Sequence, residues 1–291
     1  MKFRAHDTFF IRKGWLSKGM RNVNNNPEVF IDREKNPTDV LGIGSNMVKA
    51  LRYWMQAVGL TEEPKTGKRS QHFTKLGERI FKNDPYIEEL GTLYLLQYRL
   101  ASNKELATAW YFFFNEFSMT EFTKDNFIDS LKNYIRNEDM EVPADRSLSD
   151  DFSCIINTYR SKSSNKKISP EFNIDCPLGQ IGLIDILNKD KKTYKKTAPI
   201  ISTLNPFIIL AVIVEQADGR KEINLNELLT KSKNIGRVFN LDTISMLDVL
   251  YQIEKLGLIK ITRTAGLDVI NIQTNLSPIE CVDKYYETIN K

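Results

Sequence analysis

The stretch LGIGSNMVKALRYWMQAVGL, residues 41–60, decides the fold prediction for the N-terminal part of the chain. Its apolar residues recur at three- and four-residue steps, which is the spacing of one buried helix face. They are Met47, Val48, Leu51, Met55 and Val58. Ser45 can cap the start of this helix by accepting a backbone N–H, and Gly59 stands where glycine commonly ends a helix. The pattern therefore predicts an amphipathic helix over residues 45–58.

The opposite face of this helix is polar and basic. It carries Asn46, Lys49, Arg52, Tyr53 and Gln56. Such side chains suit phosphate contacts and base edges. Two short extended runs follow, on either side of the basic turn at residues 64–69. A helix, a hairpin and a basic tip in this order predict a winged helix over residues 25–84. The alternative is a small helical unit with a chance basic turn.

Residues 206–291 repeat this design with different side chains. Three apolar-periodic helices precede two alternating runs, residues 258–263 and 267–272, joined by a turn. A second winged helix is therefore predicted. The exposed side of its third helix is acidic or neutral, with Asp242, Asp248, Gln252 and Glu254. That composition favours packing or dimerisation over DNA contact.

The middle of the chain is predicted to be helical. Residues 110–114 hold five consecutive aromatic side chains, which point all round a helix and therefore indicate burial. The basic run at residues 189–196 fits a solvated hairpin or a phosphate-tracking strand equally well. The predicted fold class is mainly α with small β-hairpins (α+β), with two winged-helix-like modules joined by a helical middle domain. The predicted domains are residues 1–84, 85–195 and 196–291.

The net charge of +4 is spread unevenly over the 291 residues. Residues 1–84 carry +7, residues 85–160 carry −6 and residues 161–291 carry +3. This layout is either chance variation between solvated faces or a basic nucleic-acid surface beside an acidic spacer. Three cysteines without CxxC spacing and two histidines argue against a disulfide scaffold, a thiolate zinc site and a His-rich metal centre. With no signal peptide or membrane-length apolar run, we expect a cytoplasmic protein.

The N-terminal segment FRAHDTFFIRKGWLSK, residues 3–18, is the densest polar and aromatic cluster. His6 could act as an acid or base and Arg12 could hold a phosphate, although the residues alone favour a structural segment held by Phe9, Phe10 and Trp15. Asp145, Asp150 and Asp151 are weighed as metal ligands but stand where a helix cap is expected. We find no Ser-His-Asp or Cys-His arrangement and no glycine-rich phosphate loop in the sequence.

Two motifs, FRAHDTFFIRKGWLSKG at residues 3–19 and LGIGSNMVKALRYW at residues 41–54, resemble a bacterial family catalogued as a domain of unknown function. The resemblance is to the SspB-like component of DNA phosphorothioation systems, which exchange a backbone oxygen of DNA for sulfur. It implies a place in modification and antiviral defence, and possible DNA nicking. It also implies double-stranded DNA as a partner, together with sulfurtransferase-like and ATPase proteins.

The candidate residues follow from these two lines of reasoning. His6, Asp7 and Arg12 are the candidate catalytic residues. The candidate DNA-binding residues are Arg4, Lys13, Lys18, Ser45, Asn46, Lys49, Arg52, Tyr53, Lys65, Lys68 and Arg69. No cofactor is evident from the sequence, and a divalent metal such as Mg²⁺ is implied only if the protein nicks DNA. The alternatives are a non-catalytic winged-helix regulator and an assembly adaptor, and a homodimer is possible.

Overall fold

The computed structural model describes residues 1–160, 176–264 and 267–289. These residues form a mainly helical protein with three small antiparallel sheets. The predicted class, mainly α with small β-hairpins, is therefore confirmed at this coarse level. Within the described ranges, no helix is both long and apolar enough to cross a membrane.

The N-terminal part consists of three helices, a minimal hairpin and a fourth helix. Their bounds are α1 Trp15–Asn25, α2 Pro37–Leu41, α3 Ser45–Ala57, β1 Thr61–Glu62, β2 His72–Phe73 and α4 Lys75–Asn83. Helix α3 is the one predicted from its apolar spacing, but its cap differs. Gly44 is the N-cap residue, and Ser45 is the first helical residue and makes no capping bond. Gly59 has a φ of +73°, the left-handed conformation expected at a helix end.

The middle part surrounds a run of buried aromatic side chains. Its elements are α5 Leu90–Ser102, α6 Thr108–Tyr111, a π-helical turn Phe112–Glu116, β3 Glu121–Phe122, α7 Lys124–Asn137, α8 Asp145–Tyr159, a 3₁₀ turn Pro177–Ile181, β4 Ile184–Asn188 and β5 Thr193–Lys196. Phe112, Phe113 and Phe114 are buried, as the sequence predicted. Strand β5 lies between β3 and β4.

The basic run at residues 189–196 forms the turn and second strand of the β4–β5 hairpin. Its last lysine, Lys196, points inward, and its Nζ lies 2.5 Å from the Phe113 carbonyl and 2.6 Å from the Phe117 carbonyl. Burial lowers the pKa of Lys196 to about 7. This lysine therefore caps carbonyls at the end of the π-helical turn instead of facing a phosphate backbone.

The C-terminal part contains the predicted helices and hairpin, together with a strand, β6, and two helices, α11 and α13, that were not predicted from the sequence. Its elements are a 3₁₀ turn Ile201–Thr203, α9 Pro206–Ala217, β6 Glu222–Asn224, α10 Leu225–Thr230, α11 Ile235–Val238, α12 Thr243–Lys255, β7 Ile259–Thr264, β8 Leu267–Ile272 and α13 Pro278–Ile289. Strand β8 pairs with both β7 and β6, so the hairpin extends into a three-stranded sheet.

Helix α13 returns to the N-terminal half and packs against α9 and α4. The Gly91 backbone N–H donates to the Tyr285 hydroxyl at 3.1 Å. A Cβ at Gly91 would lie 2.2 Å from the Tyr285 ring, so only glycine permits this approach. Arg79 on α4 donates to Asp283 at 3.0 Å. Helix α13 is thus held against both α4 and the buried helix α5.

Candidate nucleic-acid interface

Helix α3 is amphipathic: one face is buried in the core and the opposite face is polar. Val48, Leu51, Trp54 and Met55 are buried, and α1 and α2 pack against this side. The residues predicted to read DNA lie on the outer side in two groups. Ser45, Asn46 and Lys49 are exposed, whereas Arg52 and Tyr53 are half-buried. Burial also raises the pKa of Tyr53 well above its ordinary value. The accessible part of this face is therefore its N-terminal half.

Arg52 fastens the hairpin loop to α3. Its Nε donates to a Glu63 carboxylate oxygen at 2.6 Å, and its Nη2 donates to the Arg69 carbonyl at 3.2 Å. Gln71 completes the connection by donating to the Arg52 carbonyl at 2.8 Å. Two of the five N–H donors of its guanidinium thus bind the loop, so Arg52 positions the loop beside α3.

The basic turn at residues 64–69 lies beside α3 as a consequence of these contacts. Lys65, Lys68 and Arg69 are all exposed. Lys68 forms an ion pair with Glu28. The side chains of Lys65 and Arg69, like that of Lys49, have no ion-pair partner in the described ranges. Three unpaired cations thus line one surface, which we call the α3 face and define as Ser45, Asn46, Lys49 and residues 64–69.

The candidate catalytic residue His6 lies in the protein interior. Its Nε2 is 2.7 Å from an Asp151 carboxylate oxygen, and both side chains are 1% exposed. The Thr8 backbone N–H donates to its Nδ1 at 3.1 Å. Because Nδ1 accepts, the proton of the neutral ring is on Nε2 and is donated to Asp151. The ring stacks on Trp54 with a centroid separation of 5.9 Å. Both nitrogens of His6 are therefore engaged within the chain.

Asp151 is the residue whose role the sequence did not reveal. It lies inside α8, not at the cap, and 145 positions from His6. Burial raises its pKa, against the opposing effect of the His6 hydrogen bond. Its neighbour Asp150 is 2.7 Å from the Nε of Arg4, so this candidate DNA-binding arginine is also paired. No signal along the sequence could have found contacts across such a separation.

The candidate residues that follow His6 are closer to the surface. Asp7 is half-buried, and its φ of +50° places it in a left-handed turn that includes Arg4 and Thr8. The Arg12 guanidinium lies 5.6 Å from the Phe9 ring centroid and 5.3 Å from that of Trp15. These positions give Asp7 and Arg12 access to solvent, which His6 does not have.

Arg12 and Lys13 line a cavity of about 200 Å³ at the start of α1, with Ser17, Tyr86, Glu88 and Gln180 among the other lining residues. Lys13 is exposed, whereas Lys18 donates to the Leu41 carbonyl at 2.8 Å and is half-buried. Arg12 and Lys13, which are neighbours in the sequence, share this cavity. His6 and Asp7 do not line it.

Asp145 begins α8 and pairs with Lys132 at 2.8 Å, so the three aspartates weighed as metal ligands have separate partners. Among residues 1–160, 176–264 and 267–289, no three His, Cys, Asp or Glu side chains come together in a way that could hold a metal ion. We therefore assign no metal-ion ligands among the described side chains and no chemical step to a metal ion.

Comparisons with known proteins agree with the family resemblance of the two motifs. The chain is similar over its full length to SspB in two crystal structures, at 25% identity and covering 89% of that chain. The TM-score is 0.84 for SspB alone and 0.83 for the magnesium-bound SspB. No curated protein matches the sequence. The family model described as a protein of unknown function, DUF4007, matches residues 3–286. The chain therefore belongs to the DUF4007 family.

Proposed function

We propose that this protein binds duplex DNA through the α3 face. The observation that carries the proposal is the set of exposed cations without ion-pair partners, Lys49, Lys65 and Arg69, on a helix and loop joined by Arg52. Phosphate contacts supply most of the affinity of such surfaces. The exposed amide of Asn46 beside them is a side-chain type that pairs with adenine in the major groove.

The order of elements supports a winged-helix interpretation of both ends. In the C-terminal part, α9, β6, α10, α11 and α12 precede the β7–β8 hairpin, and β6 joins that hairpin through β8. The N-terminal part has a shorter version, in which β1 and β2 have two residues each. In helix-turn-helix folds the later helix enters the major groove, and α3 is its counterpart in the N-terminal part.

The biological setting that we propose is a bacterial DNA phosphorothioation and antiviral defence system. Full-length similarity to SspB supports this, as do the two sequence motifs. Sulfurtransferase-like and ATPase proteins of the same system are the proposed partners, and the cytoplasm is the proposed location. A non-catalytic regulator that uses the same α3 face is the main alternative. An assembly adaptor would bind no DNA.

The binding proposal is tested by fluorescence anisotropy of a labelled duplex over a series of salt concentrations. We expect the logarithm of the binding constant to fall steeply with the logarithm of salt concentration, with a slope of about −0.9 for each neutralised phosphate. Binding that is insensitive to salt, or no binding at low salt, would contradict the proposal and favour the adaptor.

DNA nicking is the second candidate, favoured by the likeness to a magnesium-bound SspB. Conversion of supercoiled plasmid to the open circle is the assay, with and without Mg²⁺ and partner proteins. His6 is a poor probe of catalysis, because its loss leaves a buried carboxylate with one donor fewer, at a cost of about 3 kcal/mol or more. Arg12→Ala is the better variant.

For Arg12→Ala we expect at most about 2 kcal/mol of lost stability, because the half-buried guanidinium lies over two aromatic rings. We also expect loss of nicking, if nicking is found. Calorimetry checks the first expectation and the plasmid assay the second. Unchanged nicking would assign residues 3–12 to structure, and no nicking under any condition would leave DNA binding as the function.

A further inference from the structure

Helix α12 has an exposed apolar and aromatic stripe, in which Tyr251 contacts Arg263 of β7. Ile244 is 74% exposed, Tyr251 is 37% exposed, and Leu256 is 52% exposed just beyond the helix end. Ile244, Asp248, Tyr251 and Lys255 follow one another at four-, three- and four-residue steps, so they share one face. Large exposed apolar groups that line up in this way mark an interaction site.

Two exposed charges of opposite sign lie on this stripe. Asp248 is near the middle of α12 and Lys255 is its last residue. Both are exposed, and neither has an ion-pair partner in the described ranges. The other charged groups nearby are occupied or peripheral. Glu254 accepts the Ile261 backbone N–H at 2.7 Å, and the Arg263 guanidinium lies 5.9 Å from the Tyr251 ring centroid.

We propose that the stripe is the contact between two copies of this chain, with their α12 helices packed antiparallel. The midpoint between Asp248 and Lys255 falls beside Tyr251. A two-fold axis there brings Asp248 opposite Lys255 of the partner subunit, and the reverse pair forms by symmetry. The same axis places Leu256 opposite Leu247 of the partner subunit. The two ion pairs then lie on either side of Tyr251 at the axis, and the apolar side chains lie outside them, so the surface is complementary to itself.

We do not expect DNA to bind the same stripe. Asp242 at the N-cap of α12 and Asp248 near its middle are exposed, and their negative charge would repel a phosphate backbone. Helix α12 has 13 residues and is therefore about 20 Å long. A contact built on one such face is small for a protein interface, so we expect a reversible dimer that dissociates on dilution.

Sedimentation velocity of the full chain over a range of concentrations tests this contact without DNA. We expect a monomer–dimer equilibrium in the wild type. Ile244→Glu should raise the dissociation constant at least about tenfold, because one isoleucine side chain leaves the interface. Leu187→Glu changes an apolar side chain that is 52% exposed on β4, and it should leave the equilibrium unchanged.

Charge exchange gives a second, independent readout. Asp248→Lys alone, or Lys255→Asp alone, places like charges opposite each other and should weaken the dimer. The double variant restores both pairs and should restore the dimer. A mixture of the two single variants should form a heterodimer, because each supplies the charge that the other lacks.

A monomer at every concentration would overturn the proposal and leave the stripe for a different protein. A dimer that Ile244→Glu and the charge exchanges do not alter would overturn it as well, because another surface would then hold the two copies together. Circular dichroism of each variant verifies folding. Since no DNA is present, neither result depends on the proposed DNA binding.

Discussion

Helices α3 and α12 occupy equivalent places before a hairpin, yet they present different surfaces. The exposed face of α3 carries Asn46 and Lys49 next to a basic turn. The exposed face of α12 carries Ile244 and Tyr251 together with Asp248 and Lys255. Both helices bury an apolar face, and that requirement determines the fold. The other face is free to differ, so a shared order of elements does not imply a shared partner.

The largest effect should come from reversing the charge of the α3 face. The triple variant Lys49→Glu, Lys65→Glu, Arg69→Glu should lower DNA affinity by about a hundredfold or more and reduce the salt slope by about one for each lost contact. Stability should not change, because none of the three side chains has an ion-pair partner in the described ranges. Anisotropy and calorimetry measure the two effects.

The matched control for this variant is Lys260→Glu, on the hairpin that follows α12. Lys260 is exposed, and its loss should leave affinity and salt slope unchanged. If Lys260→Glu weakened binding as much as a single reversal on the α3 face, the contrast between the two helices would be wrong.

Arg52→Ala should show whether Arg52 positions the basic turn or itself contacts DNA. The variant removes the hydrogen bonds to Glu63 and to the Arg69 carbonyl, which should cost about 1–2 kcal/mol of stability. Affinity should fall several-fold because the turn loses its position, while the salt slope should keep its wild-type value. A slope reduced by about one would instead indicate that Arg52 itself contacts a phosphate.

In the C-terminal part, Glu227 forms ion pairs with two basic side chains, much as Glu63 does with Arg52 in the N-terminal part. It accepts from Arg220 at 2.6 Å and from Lys231 at 2.9 Å, and these bonds lower the pKa of Glu227 to about 2. Since the folded-state pKa lies below the ordinary 4.5, this stabilisation is complete above pH 4.5 and is lost as the pH falls to about 2.

Glu227→Gln should therefore be less stable than the wild type at neutral pH and should lose less stability between pH 4.5 and 2. Denaturant unfolding at several pH values measures both. DNA binding at neutral pH should not change, because Glu227 is outside the α3 face. Parallel pH profiles for the two proteins would contradict the assigned cause.

The smallest effect should be that of Ile244→Glu on DNA binding. Measured at protein concentrations where the chain is monomeric, affinity should stay within about twofold of the wild type, because the stripe on α12 does not face DNA. A strong loss of affinity in the monomer would show that both helices contact the duplex.

Helices whose apolar residues recur at regular steps could be predicted from the sequence. Helices α3, α9 and α12 follow from apolar periodicity. The aromatic residues 112–114 were correctly predicted to be buried.

The candidate site could be predicted less well, because long-range contacts decide which side chains are free. Arg52 and Lys49 have the same charge and lie on the same helix, but only Arg52 meets Glu63, from the loop after β1. The partner of His6 is 145 positions away. The pairing of β3 with β5 also joins segments about 70 residues apart, and no local pattern encodes it.

Photo-crosslinking tests the contrast between the two helices most directly. A photoreactive amino acid in place of Asn46, or in place of Ile244, is irradiated in the presence of a labelled duplex. We predict a protein–DNA crosslink from position 46 and, at high protein concentration, a protein–protein crosslink from position 244. Crosslinking of DNA from position 244 and none from position 46 would contradict the account.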